Sequence, residues 1–185
     1  MKIEPSFIIH SSCLPERKKL VDMLLLDTDA EIVEAVWLPN DPKKGCRESH
    51  KKVAQLAKEK APNASYLVFE DDCELVSPRW YYPFLAGDDV DVVYLGVNGF
   101  GKFEGNVYSY GTHAMIVSPK VRDLLIEKMD EYVDKVPDKG AIDWIVNKIC
   151  YDHNCKVWRP TEKDKERWVR QARGIKSTST GNMRK

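Results

Sequence analysis

Three consecutive carboxylates, Glu70, Asp71 and Asp72, follow directly on a short apolar run, Tyr66, Leu67, Val68 and Phe69. Like charges this close repel one another unless a cation sits among them. A run with aromatic and β-branched members reads as a buried strand, and the carboxyl ends of strands are where open α/β sheets bind ligands. The chemistry on offer is a divalent ion with oxygen ligands, Mg²⁺ or Mn²⁺, that neutralises a phosphate-bearing substrate. Alternation along an extended chain sends Glu70 and Asp72 to one side and Asp71 to the other, so one pair can share a cation. A solvated acidic turn is the plainer alternative.

Upstream, Gly45, Cys46, Arg47, Glu48, Ser49, His50 and Lys51 open an expected helix whose apolar stripe includes Val53, Ala54 and Ala57. The spacing puts His50 on the sheet-facing side of the first turn, where a helix N-terminus favours anions. Taken alone, His50 reads as a hydrogen-bonded core histidine rather than as a ligand. Cys150, His153 and Cys155, with Cys46 as a further member, invite a zinc reading. Their spacing lacks a paired knuckle, and packing in an apolar helix face accounts for Cys150.

The elements that must position these residues follow from periodicity. Strands are expected at Phe7–Ile9, Ile32–Leu38, Tyr66–Phe69, Val90–Leu95, His113–Val117 and Lys156–Trp158. Helix faces are expected after Pro15 (Leu20, Met23, Leu24), after Gly45, after Pro119 (Val121, Leu124, Leu125, Met129) and after Gly140 (Ile142, Ile145, Val146, Ile149). The first half thus alternates strand and helix, which implies a mostly parallel, doubly wound sheet. Gly96, Gly99, Gly101 and Gly105 crowd the middle of the chain and read either as a binding loop or as a tight hairpin.

The 185 residues suit one domain. Lys+Arg and Asp+Glu number 29 each, so overall charge points to neither nucleic acid nor membrane. The balance hides an asymmetry: residues 161–185 carry eight Lys/Arg against three acids, so a basic C-terminal tail follows an acidic body at 1–160. Arg167, Arg170, Arg173 and Lys176, with Trp168, read either as a lid over a diphosphate or as a solvated charged helix with a disordered end. Five cysteines, an odd number, and no recognisable leader lead us to expect reduced thiols in a cytoplasmic protein. No apolar run approaches the ~20 residues of a transmembrane segment.

Gly45, Cys46, Ser49 and His50, followed some twenty residues later by Leu67 to Asp72, resemble the glycine-cysteine-x-x-serine-histidine and hydrophobic-glutamate-aspartate-aspartate blocks of family 25 glycosyltransferases, which include lipopolysaccharide-modifying and collagen-modifying enzymes. Phe7 to Ile9 with Pro15, Glu16 and Arg17, the run Tyr110 to Ser118, and Ile142, Asp143 and Trp144 extend the likeness. It departs where Ser11, Ser12 and Cys13 replace an asparagine-leucine-arginine run, and at Ser177 to Thr180, which match the family's ending loosely.

The resemblance implies a GT-A fold, a Rossmann-like, mostly parallel sheet flanked by helices in a single domain, with a nucleotide-sugar site at the strand ends. It implies that Asp72 binds Mn²⁺ or Mg²⁺, that Glu70 and Asp71 contact the donor's ribose or sugar hydroxyls or reach the metal through water, and that Ser11, Arg17, Ser49 and His50 lie around the nucleotide. Asp143 would be the general base that takes the acceptor hydroxyl's proton; the alternative is a helix-start carboxylate favoured by the dipole. Trp144 would stack on a sugar or pack in the core, and His113 and His153 are candidates for a further metal ligand. The function implied is transfer of a hexose from a UDP-sugar to a hydroxyl of a glycan or glycoconjugate. A metal-dependent nuclease or phosphohydrolase, and a nucleotide-sugar binding module without turnover, are the alternatives.

Overall fold

A computed structural model of the protein describes residues 5–77, 89–138, 140–165 and 168–172. Six strands form the central sheet: β1 (Ser6–His10), β2 (Glu31–Glu34), β3 (Tyr66–Glu70), β5 (Val92–Tyr94), β8 (Ala114–Val117) and β9 (Val157–Trp158). Their order is β2-β1-β3-β8-β5-β9, and only β8 runs against its neighbours. The mostly parallel sheet flanked by helices, expected from the alternation of patterns, is therefore what forms. Strands β1, β3 and β8 are buried on both faces, which is why they read as unbroken apolar runs.

Helix α1 (Lys18–Asp27), entered through a 3-10 turn at Pro15–Arg17, covers one face; α2 (Pro42–Lys60), α3 (Pro119–Lys128) and α4 (Ile142–Asp152) cover the other. Strand alternation divides β3 between the two layers: Tyr66 and Val68 pack under α2 to α4, while Leu67 and Phe69 pack with Val21 and Leu24 of α1. Continued past Phe69, this alternation points Glu70 towards α2 and Asp71 towards the Pro15–Arg17 turn.

The strand expected over Ile32–Leu38 ends at Glu34. The Val36 N–H donates to Ser49 Oγ at 2.8 Å, so the chain there is bonded to α2 and leaves the sheet. Helix α2 begins at Pro42, not at Gly45. Asp41 caps it by accepting from the Lys44 N–H at 3.0 Å, and Pro42 needs no partner for a missing N–H. His50 therefore stands in the third turn, and the expected effect of the helix N-terminus on it is lost. Gly45 is required by close approach, since a Cβ there would lie 2.6 Å from the Val36 carbonyl oxygen.

Of the two readings of the glycine-rich middle, the hairpin forms: β6 (Gly99–Phe103) and β7 (Asn106–Tyr110) are joined by Glu104 and Gly105, both at positive φ, +50° and +80°. Two further strands, β4 (Cys73–Leu75) and β10 (Val169–Gln171), pair antiparallel. Part of the segment read as a tail thus returns to the residues just after the acid triplet. There Arg170 Nε donates to Glu74 at 2.9 Å. The rest of the expected lid, Arg167, Arg173 and Lys176, lies outside the described residues, as do Ser177 to Thr180. Among the described residues, no helix is long and apolar enough to cross a membrane.

Candidate active site at the end of strand β3

The three acids part company at the end of β3. Glu70 Oε1 lies 3.0 Å from His50 Nε2 and accepts from the Thr112 hydroxyl at 2.7 Å. Burial pushes the Glu70 carboxyl up, but the hydrogen bond and charge of His50 outweigh it, with help from Thr112, and hold it down at about 2.

Asp71 takes the opposite side. Its Oδ1 accepts from Arg17 at 2.5 Å, and its Oδ2 is 2.9 Å from His10 Nδ1 and accepts from the Ser11 N–H at 3.1 Å. A carboxylate and a guanidinium at 5 and 4 % exposure neutralise each other here, and the pair ties the turn after β1 to the end of β3. Arg17 is buried, yet Asp72 and Asp71 keep its guanidinium above its ordinary value.

Among the described residues Asp72 is the least compensated of the three acids. It lies just past the strand at 3 % exposure, its Oδ2 accepts from Gln171 Nε2 at 2.7 Å, and its Oδ1 has no hydrogen-bond partner among the described residues. Arg17 approaches only to 3.8 Å. Burial, then the charge of Glu70, pushes the Asp72 carboxyl up to about 6, against the pull of Arg17 and Gln171. A buried carboxylate with one orphaned oxygen, beside two other acids, has the donor chemistry of a hard divalent cation's ligand.

Beside these acids opens a cavity of about 340 Å³, in the size range of small-molecule sites. Leu14, Trp37, Leu38 and Pro39 line it with apolar surface; Ser11, Arg17, Cys46, Ser49, His50, Glu70 and Asp71 supply the polar part. Trp37 is 40 % exposed, so its ring is available to a flat ligand. Not every residue on the wall is free to bind. The Ser49 hydroxyl donates to the Gly45 carbonyl oxygen at 2.7 Å and accepts from Val36.

Asp143 stands in the first turn of α4, half-buried, and accepts from the Gly111 N–H at 3.2 Å and the Trp144 N–H at 2.9 Å. Burial raises its carboxyl above the ordinary value against these two donors, with Glu70 and Asp138 adding to the rise. Asn147 fastens this turn: its Nδ2 donates to the Asp143 and Ser109 carbonyl oxygens at 2.7 and 2.9 Å. Arg47 does so from α2 by donating to the Gly140 carbonyl oxygen at 2.8 Å. Trp144 packs in the core, within 5.1–6.0 Å of the rings of Tyr108, Tyr110 and Phe103.

Two residues with a part in the site gave no signal in the sequence: Gln171 belongs to a strand too short for a pattern, and Trp37 falls in the apolar run that reads as a longer β2. Thr112 appears there only within the run Tyr110 to Ser118, with no role of its own. Cys150 packs in α4, as its place on an apolar helix face suggested, with its thiol hydrogen-bonded to that of Cys155, whereas Cys46 lies with His50 and Glu70.

No protein-family model matches the chain, and no curated protein sequence does. Among solved structures, the fold is shared with a glycosyltransferase involved in the glycosylation of the major capsid of PBCV-1. That match has a TM-score of 0.60 at 12% sequence identity and covers 94% of each chain.

Proposed function

We propose that the chain is a metal-dependent glycosyltransferase that moves a hexose from a nucleotide diphosphate sugar, a UDP-sugar, to a hydroxyl of a glycan or glycoconjugate. The observation that carries this reading is Asp72: a buried carboxylate with an orphaned oxygen, next in the chain to Glu70 and Asp71, which line a ligand-sized cavity at the ends of β1 and β3, in a fold shared with a glycosyltransferase.

In this reading Asp72 is the protein's ligand to Mn²⁺ or Mg²⁺, which when bound supplies positive charge to the departing diphosphate. The apolar end of the cavity takes the base, with Trp37 against its ring. Ser11 and Arg17 hold the nucleotide end, and Glu70, fixed by His50 and Thr112, turns its other oxygen to a donor hydroxyl. Asp71 acts on the donor through the Arg17 it orients, since both its oxygens already have protein partners.

Asp143 receives the acceptor hydroxyl's proton as that oxygen bonds to the anomeric carbon and the bond to the diphosphate breaks. Its raised carboxyl suits proton uptake better than an exposed aspartate would.

UDP release measured from a panel of UDP-sugars, with Mn²⁺, Mg²⁺ or chelator and with glycan acceptors, tests the proposal. Release from one donor that chelator stops is the expected outcome. Donor binding without release would indicate a binding module, and hydrolysis of simple phosphodiesters in place of sugar transfer would indicate a phosphohydrolase.

A further inference from the structure

Cys46 and His50 are four residues apart on α2, on the same face of the helix, and β3 ends opposite them at Glu70. One ligand atom from each, a sulfur, an imidazole nitrogen and a carboxylate oxygen, lie within 4.8 Å of one another. His50 Nε2 and Glu70 Oε1 are already 3.0 Å apart. Zinc with bonds of about 2.0–2.3 Å holds tetrahedral ligands roughly 3.3–3.8 Å from each other, so the sulfur has to close in by about an ångström while the other two barely move.

We propose that Cys46, His50 and Glu70 form a zinc site. All three also line the cavity, so the fourth coordination position faces it and takes water or an anionic oxygen of a ligand.

The choice of metal follows from the ligands. A thiolate and an imidazole select a borderline-soft ion and are poor partners for Mg²⁺ or Mn²⁺, so this site differs in kind from the carboxylate oxygen of Asp72. The Thr112 hydroxyl, donating to Glu70 at 2.7 Å, supplies the outer hydrogen bond that orients a ligating carboxylate. Burial, then the charges of Glu70, Asp143 and Asp72, push the Cys46 thiol up, so metal binding releases its proton. The site shares Glu70 and the cavity with the proposed donor contacts, but zinc binding by the free chain can be read without any sugar transfer.

Equilibrium dialysis of the chelator-treated full chain against Zn²⁺, with metal analysis, gives the stoichiometry, and the same protein loaded with Co²⁺ reports its ligands by absorption. One zinc per chain and a thiolate-to-cobalt charge-transfer band are expected. Cys46→Ser should weaken zinc binding by about 100-fold and remove the band, Cys155→Ser should change neither, and Asp72→Asn should leave both in place. Absence of stoichiometric zinc or of the thiolate band in the unmodified chain would overturn the proposal without any variant. So would unchanged binding in Cys46→Ser, or loss in Cys155→Ser.

Discussion

Gln171 reaches back across the chain to donate to one oxygen of Asp72 at 2.7 Å, and the other oxygen of that carboxylate is left without a partner among the described residues. A buried charge held in this way is a cost to the folded state. The Asp72 carboxyl is raised from 3.8 to about 6, so the folded protein holds its proton more tightly than the unfolded chain; stability is lost as pH rises through that interval and does not return above it. Asp72→Asn should therefore be more stable than the unmodified protein at pH 7.5 without metal, by on the order of 2–3 kcal/mol, with a higher melting point, and gain nothing from Mn²⁺. Thermal melts with and without Mn²⁺ check both halves. A lower melting point for Asp72→Asn would mean that the charge is compensated.

The same carboxyl gives a pH dependence to ligand binding. Because Asp72 must lose its proton to hold a cation, Mn²⁺-dependent UDP affinity should be flat above about pH 6.5 and fall by roughly tenfold per unit below pH 6. Titrations between pH 5 and 8 measure this. Affinity that stays level down to pH 5 would remove Asp72 from the metal.

Much of this site could be read from the chain because its parts are local. Tyr66 to Asp72 is a strand and its end, and the alternation that buries Val68 and Phe69 on opposite faces also separates Glu70 from Asp71. The spacing from His50 to Val53, Ala54 and Ala57 puts the histidine against the sheet even though the helix begins a turn earlier than its glycine suggests. What escaped is held by distant bonds. The Ser49 hydroxyl draws Val36 away from β2 and exposes Trp37 to the cavity, and β10 returns across about half the chain to meet β4. Neither event has a periodic signature, because a single hydrogen bond or a strand of three residues leaves none.

Trp37 offers a direct test of the apolar end. Replacing it by alanine should weaken UDP binding by about tenfold, the equivalent of an aromatic contact of roughly 1–1.5 kcal/mol, and leave the melting temperature nearly unchanged because the ring is 40 % exposed. Calorimetry with UDP and Mn²⁺ reads the first, and a thermal melt the second. Unaltered UDP affinity would place the base elsewhere.

Gly45 tests how the cavity wall is built. Gly45→Ala puts a Cβ 2.6 Å from the Val36 carbonyl oxygen, so α2 or residues 36–38 must shift, at a cost of about 1–3 kcal/mol. Urea titration should show a lower midpoint, with UDP affinity reduced as well because the wall moves. Wild-type stability would mean that the segment yields freely.

Asp143→Asn separates binding from chemistry. Gly111 and Trp144 donate to different oxygens of Asp143, so asparagine keeps an acceptor for only one of the two N–H groups and cannot take a proton; donor affinity should persist while transfer falls by about 10²–10⁴. Single-turnover assays with saturating donor and acceptor make the comparison. Transfer at the unmodified rate would leave Asp143 as a support for the 110–113 turn.

The most direct measurement is calorimetric titration of UDP into the full chain with Mn²⁺ and with chelator, repeated for Asp72→Ala. Binding that needs Mn²⁺, and that Asp72→Ala abolishes while the variant remains folded by circular dichroism, is the expected result. Equal UDP affinity in all of these conditions would contradict a nucleotide-sugar metal site at the end of β3.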